Sequence, residues 1–165
     1  MPDLIWRAMT PEDLDDVSAV AAVGFPDHFE DRACFANRLS LHPQGCRVLA
    51  GETGLAGYIV AYPWRRGAIP PLNSRIDAIP DDADVIYLHD LALLPATRGA
   101  GHARTAIEAL SNEAAAAGWP AVALVAVNAA EAFWTRHGFV TDPDPDLRTK
   151  LATYGPDARY MVRAL

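Results

Sequence analysis

The chain has little cysteine, no long apolar run and no excess of positive charge. Its two cysteines, Cys34 and Cys46, are too few for a disulfide framework. No apolar run approaches the ~18 residues of a membrane span, and Met1-Pro2-Asp3 lacks the layout of a signal peptide. The net charge of −7 argues against a nucleic-acid surface. We therefore expect a single domain over residues 1–165 in a reducing, cytoplasmic setting, with no membrane or nucleic-acid partner.

Two common fingerprints of nucleotide binding are also missing. A dinucleotide site needs glycine or alanine at the last position of its motif, where Arg104 stands if Gly99 is the first glycine. The phosphate loop of ATPases needs Gly-Lys followed by serine or threonine, and the sequence has no such run. These two absences exclude the nucleotide-binding classes that a glycine-containing turn most often indicates.

What the sequence does contain is a predicted buried strand, a glycine-containing turn and a predicted helix in succession. Leu88–Leu94 is an apolar run ended by a proline, and the alanine-rich stretch from Ile107 has helical spacing. Between them, Gly99 and Gly101 let backbone amides face a ligand without interference from a Cβ atom. Free N–H groups and the dipole at a helix start favour an anion. An ordinary strand-to-helix turn is the alternative.

Strands and helices alternate along the rest of the chain. The patterns predict strands near residues 4–9, 46–50, 55–62, 121–127, 139–140 and 158–163. They predict helices near residues 10–24, 31–41 and 102–118, and a short helix that carries Phe133 and Trp134. The predicted strand–helix–strand succession over 88–127 favours a right-handed parallel crossover. Residues 65–84 carry three prolines without periodicity, which indicates either a lid or specificity loop or a plain surface excursion.

Two motifs in order resemble the signatures of the GNAT superfamily of N-acetyltransferases. Arg98-x-x-Gly101-x-Ala103 is similar to the family's pyrophosphate-binding signature, and the stretch from Asn128 to Phe139 is similar to its second signature. The resemblance implies an α/β (α+β) fold of GNAT type, whose mixed, mostly antiparallel, twisted sheet has about six or seven strands and about four flanking helices. It also implies acetyl-CoA as co-substrate and transfer of its acetyl group to a primary amine of a small molecule or peptide.

The resemblance also implies the residues that contact the coenzyme. The backbone of Leu91–Leu94 is expected to pair with the pantetheine amides, with one N–H group polarising the thioester carbonyl. The full cofactor-binding set is Leu91, Ala92, Leu93, Arg98, Gly99, Ala100, Gly101, His102, Ala103, Asn128, Phe133 and Trp134. No metal is expected, and formation of a homodimer is left open.

The second motif departs from the family pattern at Trp134. The family's usual tyrosine, commonly assigned as the acid that protonates the departing thiolate, falls on this position. An indole N–H donates hydrogen bonds but does not titrate, so Trp134 cannot supply that proton. It is expected to pack either on the coenzyme or in the core, and Tyr154 and Tyr160 remain as late tyrosines. A non-catalytic acyl-CoA-binding or sensing domain is therefore the alternative function.

Removing a proton from the acceptor ammonium requires a base tuned near neutral pH. His89 and Asp90 are the catalytic candidates, because they lie on the predicted central strand where family members often carry the base. Strand alternation predicts that these neighbours point to opposite faces, so that only one enters the site. The resemblance places the acceptor wall after the first strand, and the substrate-contact candidates there are Phe25, His28, Phe29 and Glu30.

Overall fold

The fold is built on one seven-stranded sheet, seen in a computed structural model that describes residues 3–165. Met1 and Pro2, which belong to the stretch without a signal-peptide layout, lie outside the described residues. The strands are β1 (Ile5–Ala8), β2 (Cys46–Gly51), β3 (Gly54–Trp64), β4 (Val85–Leu93), β5 (Ala121–Ala126), β6 (Val140–Thr141) and β7 (Arg159–Ala164). Their order across the sheet is β1-β2-β3-β4-β5-β7-β6, and only β4 and β5 run parallel. The predicted mixed, mostly antiparallel sheet is confirmed.

Five α-helices flank the sheet, one more than the sequence predicted. They are α1 (Leu14–Gly24), α2 (Arg32–Leu41), α3 (His102–Ala116), α4 (Glu131–Arg136) and α5 (Leu147–Leu151). The unpredicted helix, α5, spans only five residues, and its apolar signal consists of two buried leucines, one at each end. Among the described residues, no helix combines the length and apolarity needed to cross a membrane.

The helices divide between the two faces of the sheet. Residues of α1 and α2 pack against Tyr58, Val60 and Tyr62 of β3, while residues of α3 and α4 share a core with Ile59 and Ala61. This division follows the alternation of side chains along a strand. A third apolar cluster packs α5 against β5 and β7, and β4 at the centre of the sheet contributes to all three clusters.

The start of α3 is held in place by the first strand. Trp6 on β1 donates its indole N–H to the carbonyl of His102 at 3.1 Å, and the backbone and hydroxyl of Thr105 both bond to the carbonyl of Gly101. Gly101 is the N-cap residue and has φ of 87°, a left-handed conformation that favours glycine. These contacts fix the position of the first turn of α3 beside the end of β4.

Candidate active site

A cavity of about 700 Å³ opens where β4 and β5 separate. Within residues 3–165, the parallel ladder between the two strands consists of Ile86 and Tyr87 of β4 and their partners on β5. Beyond these residues, side chains of both strands line the cavity. The edge of β4 that faces β5 is therefore left without a strand partner over Leu91–Leu93, where the sequence predicts pairing with the pantetheine amides.

One end of the cavity is formed by the turn between β4 and α3. Gly99 and Gly101 have φ of 86° and 87°, and a Cβ atom added to either would meet nothing within 4 Å. Both glycines line the cavity, so such an atom would project into open space beside the start of a 15-residue helix. This geometry is a cradle for an anionic group, since the helix start supplies free N–H groups and a positive dipole end.

Arginine side chains add positive charge to this end, which we call the coenzyme end. Arg98 and Arg104 line the cavity there, together with His102 and His137. Burial and the neighbouring Arg104 and Arg136 lower the pKa of His137, which favours its neutral ring, whereas Arg98 and Arg104 carry positive charge. Of the predicted contact residues in the turn, Ala100 is the one that does not line the cavity. The cradle and the two arginines fit the pyrophosphate of coenzyme A.

Trp134 lies between the cavity and the core. Its ring packs edge-on against Phe133 at 5.0 Å and Phe139 at 5.4 Å, and its exposed fraction is 8%. It also lines the cavity, as do Phe133 and Asn128. Packing in the core and packing on the coenzyme are therefore compatible for Trp134, because its ring packs against two aromatic rings while the residue also borders the cavity. Asn128 has φ of 54°, a left-handed turn that ends β5.

His89 and Asp90 point to the same face of the sheet, so the expectation from strand alternation is wrong. Val60 pairs with Asp90 and Ala61 with Leu88, which leaves His89 as an extra residue in β4. Such a β-bulge breaks the alternation and re-aims the side chains around it. Both residues consequently line the cavity and both are hydrogen-bonded to tyrosines of β3.

Both ring nitrogens of His89 already have partners. Nε2 lies 2.7 Å from Oε1 of Glu30. Because a carboxylate can only accept a hydrogen bond, Nε2 carries the proton and donates it. Nδ1 lies 3.1 Å from the hydroxyl of Tyr62, which donates to it when the ring is neutral. The side chains of His89 and Glu30 are each 5% exposed. His89 therefore has no free lone pair with which to approach a substrate amine.

Asp90 has a free acceptor atom. Its Oδ2 accepts a hydrogen bond of 2.8 Å from the hydroxyl of Tyr58, and within residues 3–165 no hydrogen bond occupies Oδ1. Burial raises the pKa of Asp90 to about 6, and the nearby charge of Glu30 acts in the same direction, whereas His89 and the Tyr58 hydrogen bond oppose it. A carboxylate with a pKa near 6 is mostly ionised at neutral pH and still basic enough to take a proton.

Glu30 comes from a different part of the chain, the loop between α1 and α2. Burial alone would raise the pKa of its carboxyl group, but the charges of His89 and Arg38 and the hydrogen bond from His89 outweigh burial and lower it. Glu30 is therefore ionised beside Asp90. Its Oε2 is buried and has no hydrogen-bond partner.

Three of the four predicted substrate-contact residues line the cavity. Phe25, His28 and Glu30 border it, whereas Phe29 lies outside the lining and is 66% exposed. His28 donates from Nε2 to the carbonyl of Tyr154 at 2.8 Å, and its Nδ1 is buried without a partner. We call this part of the cavity, with Asp90 and His89, the acceptor end.

Residues 65–84 form a fixed wall beside the acceptor end. The segment has neither helix nor strand, and it is bound to α2 through Asn37, which donates to and accepts from the backbone of Ile76 at 3.0 Å each. Arg38 donates to the carbonyl of Ser74, and Leu72 lines the cavity. Of the two interpretations, a lid or specificity loop and a plain surface excursion, these contacts favour the specificity loop, in the form of a packed wall.

Several lining or supporting residues were not predicted from the sequence. They are Tyr58 and Tyr62 on β3, Arg38 on α2, Leu72 and Tyr87. The two β3 tyrosines could have been predicted. They lie on one face of β3, and an antiparallel sheet would place β3 beside β4. The remaining three carry no sequence signal that separates them from core residues.

Glu30, His89 and Asp90 also have a spacing that a metal ion could use. One ligand atom from each lies within 4.8 Å of the others. The hydrogen bond between His89 and Glu30 would have to break for an ion to enter, and Tyr58 already holds one oxygen of Asp90. These hydrogen bonds explain why the three side chains lie close together. That the site holds no metal stays a prediction.

Comparisons with known proteins agree with the observed fold. A profile described as the acetyltransferase (GNAT) family matches residues 6–139. Ard1 from Thermoplasma volcanium is similar over 98% of this chain and 97% of its own, with a TM-score of 0.74 and 16% identity. The loading GNATL domain of CurA from Lyngbya majuscula is similar over 97% of this chain and 96% of its own, with a TM-score of 0.75 and 17% identity.

A third similar structure contains a coenzyme-linked peptide. Arabidopsis thaliana Naa50, in complex with the bisubstrate analogue CoA-Ac-MVNAL, is similar over 96% of each chain, with a TM-score of 0.70 and 13% identity. At these identities the solved structures show a shared fold. No functionally curated protein matches the sequence.

Proposed function

Because the chain belongs to the acetyltransferase (GNAT) family, we propose that it moves the acetyl group of acetyl-CoA to a primary amine of a small molecule or peptide. The observation that supports this proposal is a single cavity with an anion cradle at one end and Asp90 at the other. The peptide-linked ligand of the similar Arabidopsis Naa50 structure agrees with an amine acceptor of this kind.

The coenzyme end would hold the pyrophosphate and the pantetheine arm. The amides around Gly99 and Gly101 and the charges of Arg98 and Arg104 would bind the pyrophosphate. The free edge of β4 over Leu91–Leu93 would pair with the pantetheine amides as a further strand would. Bound acetyl-CoA supplies a thioester carbonyl, and a β4 backbone N–H aimed at its oxygen would stabilise the charge that develops during attack.

Asp90 is the proposed base. Only a free amine is nucleophilic, so the ammonium must lose a proton to Oδ1 of Asp90, directly or through water, before its nitrogen bonds to the acetyl carbon. The carbon–sulfur bond then breaks, its electron pair leaves on the thiolate of coenzyme A, and the second proton that the nitrogen must lose passes to solvent or to that thiolate. His89, engaged through both nitrogens, acts as a positioning residue that holds Glu30 and the bulge in place.

The leaving group needs little help from the protein. A thiol of this type has a pKa of about 8.5, so the thiolate can depart unprotonated, and general acid assistance would add about 10²–10⁴ in rate. Trp134 cannot provide that assistance. The hydroxyl of Tyr154 donates to the carbonyl of Pro70, and that of Tyr160 accepts from the backbone of Gly67, so both serve the packing of the wall.

A non-catalytic acyl-CoA-binding or sensing domain is the second candidate, favoured by tryptophan at the usual tyrosine position. The two candidates are separated by measuring thiol release from acetyl-CoA with a panel of primary amines, alongside thermal stabilisation by acetyl-CoA and coenzyme A. We expect stabilisation by both ligands and amine-dependent thiol release. Stabilisation without release from any amine would favour the sensing domain, and no stabilisation would contradict both candidates.

A further inference from the structure

The two ends of the cavity carry opposite charge. Arg98 and Arg104 line the coenzyme end, whereas the carboxylates of Glu30 and Asp90 line the acceptor end. We infer that the acceptor is a primary amine on an apolar body, with no carboxylate beside the amine. This inference rests on the proposed N-acetyltransferase activity and narrows its substrate class.

The acceptor end offers hydrogen-bond acceptors rather than donors. Oε2 of Glu30 is buried without a partner, and Oδ1 of Asp90 is unoccupied by any hydrogen bond of the described chain. Nδ1 of His28 is also buried and unpartnered, and because Nε2 donates to a carbonyl, the neutral ring leaves Nδ1 as an acceptor. A primary ammonium has three N–H donors, and one of them can bond to the unoccupied Oδ1 of Asp90.

A carboxylate next to the amine would find no matching partner at this end. It can only accept hydrogen bonds, and at this end the two carboxylates of Glu30 and Asp90 outnumber the single imidazole of His89. The nearest buried cation, Arg38, is behind Tyr62 with its guanidinium 5.5 Å from the ring centroid, and it is not among the cavity-lining residues. Like charges brought together at a binding site oppose binding, so an acceptor with a carboxylate beside its amine should be discriminated against.

The walls around these polar atoms are apolar. Phe25, Leu72, Tyr87 and Val125 line the cavity, and the ring of Tyr154 stacks beside that of His28 at 6.4 Å. The hydroxyl of Tyr154 is turned toward the carbonyl of Pro70, which leaves its ring as the contact surface. An aliphatic or aromatic body attached to the amine would therefore be desolvated against these side chains.

A matched set of three acceptors tests the inference. Phenethylamine, phenylalaninamide and phenylalanine share one apolar body, and the amide equals the carboxylate in bulk but not in charge. Thiol release from acetyl-CoA is measured for each at fixed pH, and kcat/KM is expressed per concentration of free amine, because the amines of the three acceptors differ in pKa. We expect turnover of the first two, and a kcat/KM for phenylalanine that is lower than for the amide by about 10- to 100-fold, corresponding to ~1.4 kcal/mol for each factor of ten.

A variant localises the effect to the acceptor end. Glu30→Gln removes one of the two negative charges and keeps the shape of the side chain. The ratio of kcat/KM for phenylalaninamide to kcat/KM for phenylalanine should therefore shrink by about tenfold. Glu52→Gln, at an exposed turn between β2 and β3, is the matched control and should leave the ratio unchanged. The ratio compares two acceptors on the same variant, so a loss of overall activity or stability does not affect it.

The outcomes separate the inference from the proposed function. Phenylalanine used as well as its amide would overturn the inference and leave the N-acetyltransferase activity standing. The inference would also fail alone if none of the three released thiol while amines of another class did. If no amine of any class released thiol, the proposed function would fail and the inference with it.

Discussion

The two ends of the cavity are assembled in different ways. The coenzyme end draws its cradle from one short stretch, the turn between β4 and α3, with Gly99 and Gly101 two residues apart. The acceptor end combines residues from the α1–α2 loop, the bulge in β4, the 65–84 segment and the region after α5. The first end is a local motif, and the second exists only when distant parts of the chain are packed together.

This difference has a chemical counterpart. In the proposed function, the coenzyme end would use backbone amides and a helix start, which many sequences can supply provided that glycine stands where φ is positive. The acceptor end uses side chains whose pKa values depend on burial and on one another, as for Glu30 and Asp90. Changes at the two ends should therefore separate binding of the coenzyme from the transfer step.

The largest effect is expected from Asp90→Asn, which removes the base and keeps the hydrogen bond to Tyr58. We expect kcat to fall by about 10²–10⁴ at neutral pH with little change in coenzyme A affinity. The deficit should shrink as pH rises, because more of the acceptor then arrives as free amine. Steady-state kinetics over a pH series and calorimetric titration of coenzyme A measure both quantities.

The matched control is Asp77→Asn, an exposed aspartate in the 65–84 segment that does not line the cavity. It should keep full turnover. An Asp90→Asn variant that retained full turnover on a verified acceptor would remove Asp90 as the base. Parallel loss of coenzyme binding and turnover would instead mean that Asp90 holds the bulge together.

The next effect concerns the coenzyme end. Gly101→Asp should weaken coenzyme A binding by about 10- to 100-fold, or ~1.4 kcal/mol per factor of ten, because its carboxylate would enter the cradle and repel the pyrophosphate. Thermal stabilisation by coenzyme A should be largely lost.

Gly118→Asp at the other end of α3 is the matched control. Gly118 has φ of 88° and open space around its Cβ position, so the backbone strain of Gly118→Asp is comparable to that of Gly101→Asp. Since Gly118 does not line the cavity, that variant should be destabilised as an apoprotein yet still be stabilised by coenzyme A. Equal loss of ligand stabilisation in both variants would indicate a general folding defect rather than a cradle.

The smallest effect is expected in the pH profile of Tyr58→Phe. In the unaltered protein, kcat/KM should fall as pH drops through about 6, where burial has placed the pKa of Asp90 and where protonation removes the base. The Tyr58 hydroxyl stabilises the ionised carboxylate, so its removal should raise that pKa and move the acid limb upward by about one pH unit. Tyr160→Phe, which removes a hydroxyl outside the cavity, should leave the limb in place. An acid limb that stayed fixed in Tyr58→Phe would assign it to another group.

The sequence predicted most strands and helices because their periodicity is local. The hairpin of β2 and β3, the parallel crossover from β4 to β5 and the final strand all follow apolar patterns that the structure confirms. The helix α5 was missed because five residues give too little periodicity to detect. The sequence also left open whether residues 65–84 form a wall, since their anchors Asn37 and Arg38 lie on a different element.

The sequence by itself determined the order of most strands and helices and the glycine-containing turn before α3, because glycine spacing and apolar periodicity act over a few neighbouring residues. Only the tertiary structure decided the acceptor end. A single extra residue in the ladder between β3 and β4 turned His89 and Asp90 to one face, and packing of α2 against the sheet brought Glu30 to His89. Register and burial depend on contacts between residues far apart in the chain, and no local pattern contains them.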